Sequence, residues 1–281
     1  MKLRIISGVV ACAVVALIII SGKEIFDVAC LLFAIAAVYE VFGAFGKKGF
    51  KPVNVAGYIA CVCVFLGSIE YWDRRVWGWL RSIILFVDIR FLLYLSLLLM
   101  FIFLITGVNK HTVADLAVTI LGTFYICFLF WYLIMTRNLR AGEYAVLFVA
   151  IAAAATDTGA YFVGTFLGKH KLIPEVSPNK TVEGAIGGVI FCVLAVTLYG
   201  TLAYNSISGQ NPAWQYVVMG AACGVVAQIG DLAASCLKRY CGIKDFGKII
   251  PGHGGILDRM DSAILLSPLI HIILTVMEKV P

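Results

Sequence analysis

The sequence predicts an all-α, polytopic integral membrane protein of about nine transmembrane helices with one polar, cytoplasm-facing site. Three observations carry this. Of its 281 residues 62% are apolar and the mean hydropathy is +0.98, whereas apolar residues make up only about half of a soluble domain. Apolar runs of about 20 residues, the length that crosses the hydrocarbon as a helix, recur along the whole chain. Charged residues are only 14% of the total, and they crowd into short stretches such as 244–262, KDFGKIIPGHGGILDRMDS.

In chain order the spans fall at 5–22, 25–45, 53–71, 91–108, 113–135, 144–168, 186–204, 214–237 and 262–278. The first follows Lys2 and Arg4, as a signal peptide would. A second apolar segment begins at Ile25 with no A-x-A-like cleavage site before it, so the first is read as a retained span. No lipidation motif is present. Between the third and fourth spans, 72–90 mixes Trp77 and Trp79 with Arg74, Arg75 and Arg81. That composition suits an amphipathic helix at the lipid interface, or a tenth crossing that would invert the later half. The length leaves no room for a large soluble domain. The chain is read as one integrated membrane unit, with lipid-facing helices over 1–140 and the chemistry-bearing region over 141–281.

With the N-terminus inside, more than half of the 22 Lys and Arg residues fall on the inner side, as the positive-inside rule asks. The loop 205–213, NSISGQNPA, carries no charge, while the loops flanking that helical hairpin are strongly basic; those two loops face the cytoplasm. The nine cysteines lie mostly in apolar runs, at spacings that match no zinc template, and are read as small apolar filler. Cys61-Val-Cys63 lacks a nearby His or further Cys to complete a metal shell.

Basic loops can serve topology alone, but carboxylates also sit beside and within the spans, at Asp157, Asp231, Asp258 and Asp261. An unpaired charge there costs about 3 kcal/mol or more, so each needs a cation or water. Read as helix until Gly242 stops it, the stretch GDLAASCLKRYCG puts Asp231, Ser235 and Lys238 at i, i+4 and i+7 on one face. Asp231 then lies about 15 Å of helix from Cys241, and a polar stripe descends into the bilayer. In PGHGGILDRMD, Gly252, Gly254 and Gly255 leave backbone N–H groups uncovered before a helix, an arrangement able to hold anionic oxygens. Asp258 and Asp261, at i and i+3, aim two carboxylates at one place, which suits a hard cation such as Mg2+. Lys238, Arg239, Lys244, Lys248, His253 and Arg259 surround them with positive charge. A divalent ion bridging carboxylates to a polyphosphate satisfies both signs. A transporter with broken helices and buried Asp is the other reading. No P-loop pattern is present.

The block Ser235-x-x-Lys238-Arg239-x4-Lys244-Asp245-x-Gly247-x2-Ile250-Pro251-Gly252-His253-Gly254-Gly255-x-x-Asp258-Arg259-x-Asp261 resembles the signature of the phosphatidate cytidylyltransferases, or CDP-diacylglycerol synthases. Upstream, Asp157-Thr-Gly-Ala-Tyr161-Phe-x-Gly164 and Ser177-Pro178-Asn179-Lys180-Thr181-x-Glu183-Gly184 resemble two further blocks of that family. Thr165 departs from the pattern, where a basic residue is expected. The first 140 residues match only in being hydrophobic. The resemblance implies a multi-pass enzyme of the inner membrane. It would convert CTP and phosphatidic acid to CDP-diacylglycerol and pyrophosphate, for phospholipid biosynthesis. Mg2+, a second, monovalent cation and a homodimer belong to the same expectation, and nucleic acid does not.

On that expectation Asp231 and Asp258 hold the metal across two neighbouring helices, and Asp261 is a third ligand or a hydrogen-bonded support. Lys238, Arg239, Lys244 and Arg259 neutralise phosphates, unless Arg259 only pairs with a neighbouring Asp. Ser235 contacts a phosphate or bonds its own helix. His253 donates to pyrophosphate or steadies the turn, and Asp245 forms a loop salt bridge beside Lys244. Asn179 and Lys180 reach the same phosphates. Ser177-Pro178 is read as a turn, and Thr181 with Glu183 as the start of the next helix. Asp157 lines the cavity or bonds across close-packed helices. Glu40 is a candidate by its place inside the second span, unless Lys47 and Lys48 merely screen it. The early spans would build the acyl-chain pocket or a dimer contact.

Overall fold

A computed structural model describes residues 2–68, 89–107, 110–209, 211–250, 252 and 254–279. In order, its elements are α1 (Lys2–Ile20), α2 (Lys23–Lys47), α3 (Asn54–Ser68), α4 (Ile89–Thr106), α5 (Val113–Arg137), α6 (Gly142–Leu167), β1 (Lys171–Ile173), β2 (Ser177–Thr181), α7 (Val182–Tyr199), α8 (Ala213–Tyr240) and α9 (Leu257–Lys279). Helix α7 runs on through a π-helical turn, Gly200–Tyr204, and a last turn, Asn205–Ser208. Each span read from the sequence falls on one of these helices.

Among the described residues six helices are long and apolar enough to cross a membrane: α2, α5, α6, α7 with its extension, α8 and α9. Shorter apolar helices lie at Asn54–Ser68 and Leu97–Thr106. The chain is therefore an all-α, polytopic integral membrane protein, apart from the hairpin of β1 and β2. The stretch read as an interfacial helix, 72–90, lies outside the described residues up to position 88.

Two compact units are present: Met1–Ile134 with Cys241–Asp258, and Met135–Tyr240 with Arg259–Pro281. In the first, α2 packs on α1 and α3, and α3 on α4. Val53, Ala56, Met100 and Leu116 form a buried cluster there. The entry to α5 is a capping box with Asp standing where Glu or Gln is usual. Thr112 N donates to Asp115 Oδ2 at 2.7 Å, and Asp115 N donates back to Thr112 Oγ1 at 3.2 Å. The other oxygen of Asp115 accepts from Lys51 N at 2.6 Å, and Thr119 Oγ1 accepts from Val53 N at 2.9 Å. One carboxylate thus caps α5 and pins the loop that feeds α3. Asp115→Ala is expected to lower stability by about 1–2 kcal/mol, read as an earlier melting transition in detergent.

In the second unit, α7 packs against both α6 and α8. The uncharged loop after α7 is tied by Asn205, whose Oδ1 accepts from Tyr216 Oη at 2.6 Å and Asn211 N at 3.0 Å. Phe148 packs edge-on against Tyr199 and Tyr204 beside it.

At the opposite ends of these helices β1 and β2 pair antiparallel, Lys171 with Thr181 and Ile173 with Ser177. Here the structure corrects the sequence reading: Ser177 and Pro178 lie in a strand, and the turn is 173–176, closed by Val176 N donating to Ile173 O at 3.2 Å. Pro174 stands at its second position, where a fixed φ is favourable, and Pro178 is tolerated on an edge strand. Thr181 is the N-cap of α7, its Oγ1 accepting from Gly184 N at 3.1 Å. Glu183 turns back instead, accepting from Lys169 N and His170 N at 3.1 and 3.2 Å and pairing with the His170 ring. Cys30, Cys61, Cys63, Cys127, Cys192, Cys223 and Cys241 are free and buried, and Cys236 is free and exposed.

Candidate active site

Helix α8 stays helical through Tyr240, and Gly242, at a φ of +68°, ends the turn that follows. Asp231, Ser235 and Lys238 therefore do form a stripe on one face. What meets that stripe is decided by Gly230. A Cβ there would stand 2.9 Å from Asp261 O and 3.2 Å from Ser262 Cα, so α8 and α9 cross with their backbones nearly touching. Glycine permits such approach between membrane helices. The crossing falls one residue before Asp231 and brings Asp261 beside the stripe. Lys238 Nζ lies 3.8 Å from Asp261 Oδ2, with side chains only 13% and 10% exposed.

On the other side of Asp231 stands β2. Lys180 pairs its ammonium with Asp231 Oδ2, and Asp157 of α6 is within electrostatic reach of both. Asp261 in turn feels Asp231, Lys238 and Asp157. Three carboxylates and two ammonium groups thus share one polar patch, formally 2 − 3 = −1. A cavity of about 490 Å³ opens on it, lined by Asp157, Tyr161, Asn179, Lys180, Gln228 and Asp231. Gln228 Nε2 donates to Ala185 O at 3.0 Å and Gly224 O at 2.9 Å, fixing one cavity wall to α7. Arg239 Nε donates to Val176 O at 3.4 Å, tying the basic end of α8 to the hairpin turn.

The glycine-rich loop belongs to the first unit, and the amides that lead from it into α9 are held by the protein's own carboxylates. Asp258 Oδ2 accepts from Phe246 N at 2.8 Å and Gly255 N at 3.0 Å. Glu40 of α2 accepts from Ile256 N at 3.0 Å and Leu257 N at 2.9 Å. Ile250 N donates to Gly254 O at 2.9 Å, and Gly254 takes a φ of +85° that favours glycine. Of the three glycines whose amides the sequence reading left open to anionic oxygens, Gly255 has its N–H held by Asp258. Glu40 is not a screened surface charge. Lys244 lines a second cavity, of about 470 Å³, together with Tyr39, Glu40, Lys47 and Lys248. Arg259 is exposed on the first turn of α9, and His253 lies outside the described residues.

Sequence reasoning named Asp157, Asp231, Asp261, Lys180 and Lys238, and the second unit gathers all five. It missed Gly230 and left the role of Glu40 open. Among the described residues no three His, Cys, Asp or Glu side chains stand close enough together to hold a metal ion.

Comparison with known proteins extends over the full chain. Residues 2–277 match the model of the cytidylyltransferase family. A phosphatidate cytidylyltransferase of Bacillus subtilis is 35% identical over 278 residues, covering 98% of this chain and 97% of the relative. Those of Staphylococcus saprophyticus and Staphylococcus aureus are 31% and 32% identical over 274 residues, covering 98% of this chain and 99% of each relative.

Proposed function

This chain belongs to the cytidylyltransferase family, and from that premise we propose that it transfers the cytidylyl group of CTP to phosphatidic acid, forming CDP-diacylglycerol and pyrophosphate. Family membership decides between the enzyme and transporter readings. The single observation that carries the chemistry is the patch of Asp157, Asp231 and Asp261 around Lys180 and Lys238.

A phosphatidate oxygen attacks the α-phosphorus of CTP. A new P–O bond forms there, the bond to the bridging oxygen of the β-phosphate breaks, and pyrophosphate leaves with that electron pair. The lipid phosphate is itself the nucleophile, so no side-chain nucleophile is needed. Positioning and charge neutralisation provide most of the rate. Lys180 and Lys238 supply positive charge inside the patch, and Asn179 and Ser235 supply neutral polar groups beside it. Arg239 and Arg259 extend the basic field, and the resemblance adds Lys244 and His253 as candidate phosphate contacts. Asp157 keeps the deep wall of the cavity polar.

A divalent cation held at this patch would take carboxylate oxygens from it and its remaining ligands from the substrate phosphates and water. Carboxylate oxygens are the hard ligands that Mg2+ prefers, and the patch is formally negative. We assign Asp231 and Asp261 to it, and the resemblance adds Asp258 as a candidate ligand. When bound, Mg2+ offsets phosphate charge that builds up on the leaving pyrophosphate. A second, monovalent cation, a homodimer and an inner-membrane location with the site facing the cytoplasm complete the proposal. The basic loops beside the uncharged 205–213 loop support that orientation.

Purified protein given labelled CTP, phosphatidic acid and Mg2+ is expected to release one pyrophosphate per CDP-lipid formed, and to stop when EDTA is added. Product from another lipid phosphate or a lipid alcohol, with none from phosphatidic acid, would overturn the substrate assignment. Undiminished turnover in excess chelator would overturn the metal.

A further inference from the structure

We propose that Glu40, on a helix outside the signature blocks, is a positioning residue for the proposed reaction, fixing the N-terminus of the helix that carries Asp258 and Asp261. Glu40 is 2% exposed, although it sits in one of the most apolar helices of the chain. A buried carboxylate in such a place persists only where it is fully hydrogen-bonded. Its partners are the backbone amides of Ile256 and Leu257, one to each oxygen, across 216 and 217 positions of sequence. These N–H groups open α9 and have no partner within the helix. A negative side chain there also meets the favourable end of the helix dipole.

The loop is shaped around this carboxylate. A Cβ on either Gly247 or Gly255 would run into the Glu40 side chain, so both positions are bare where the carboxylate enters. Gly255 N meanwhile donates to Asp258 Oδ2. Glu40 and Asp258 therefore hold consecutive amides of one loop, and release of the first loosens the frame of the second. The arrangement orients a proposed metal ligand and touches no reacting atom. The inference rests on the proposed cytidylyl transfer for its kinetic consequence, and on geometry alone for its structural one.

The test separates the two. Glu40→Gln keeps shape and volume but offers one acceptor where two are needed. Hydrogen exchange of the segment containing Ile256 and Leu257, measured on the full-length protein in detergent, is expected to quicken at least about tenfold. Turnover should fall at least about tenfold with KM for CTP within about twofold of wild type, and Glu40→Asp should recover part of both losses. If Glu40→Gln does not fold, Glu40→Asp against wild type gives the same two readouts with smaller amplitudes. Unchanged exchange at 256–257 overturns the anchoring. Faster exchange with unchanged turnover reduces Glu40 to a structural cap and overturns the positioning role. An inactive wild-type protein would defeat the proposed reaction, while the exchange data would still decide whether Glu40 holds the helix.

Discussion

Asp231→Asn is expected to lower turnover by about 10²- to 10³-fold, the usual loss when one preorganised electrostatic partner of a reacting phosphate or oxyanion is removed. Asn has the same shape, so the α8–α9 crossing at Gly230 should persist and the fold with it. What changes is charge. The patch holds three carboxylates and two ammonium groups; neutralising Asp231 brings its formal sum from −1 to zero and withdraws the anion that Lys180 rests on. The affinity for a divalent cation falls, and Lys180 loses its template. Steady-state assays at rising Mg2+, with circular dichroism as the control for folding, decide the matter. Full turnover at saturating metal would remove Asp231 from the ligand set. Asp157→Asn is the useful contrast, because among the described residues Asp157 forms no ion pair with a lysine, and its loss should cost less.

Parts of this site were legible in the sequence because they depend on local periodicity. The stripe Asp231, Ser235 and Lys238 follows from 3.6 residues per turn, and the stop at Gly242 and the cap at Thr181 follow from terminus chemistry. Apolar run length likewise placed a helix at each predicted span. The rest depends on contacts that sequence spacing does not encode. Nothing near Gly230 in sequence says that another backbone will lie against it. The pairing of Lys180 with Asp231 links a strand to a helix beyond an intervening span. The hairpin turn was misplaced because two prolines compete for it, and Pro174 wins by standing where a turn wants a fixed φ. Glu40 was the hardest to read: its partners are backbone amides, and these carry no signature in the residues that own them.

Asp258 separates structure from chemistry through two substitutions, and the pair predicts different failures. One oxygen of Asp258 already accepts from Phe246 N and Gly255 N, so the side chain has a structural duty whatever else it binds. Asp258→Asn keeps an acceptor oxygen for those amides and removes only the charge. The loop should hold, with stability within about 1 kcal/mol of wild type, while turnover drops about 10²-fold if the carboxylate is a metal ligand. Asp258→Ala leaves two buried N–H groups without a partner, at about 1–3 kcal/mol each, and should lower the melting transition as well as the rate. Measured side by side, the two variants assign the residue. If Asn matches wild type in turnover and Ala is merely unstable, Asp258 is a loop anchor and the metal belongs to Asp231 and Asp261. If Asn is as inactive as Ala yet melts like wild type, the charge itself is required, and the same carboxylate that organises the glycine-rich loop also serves the reaction.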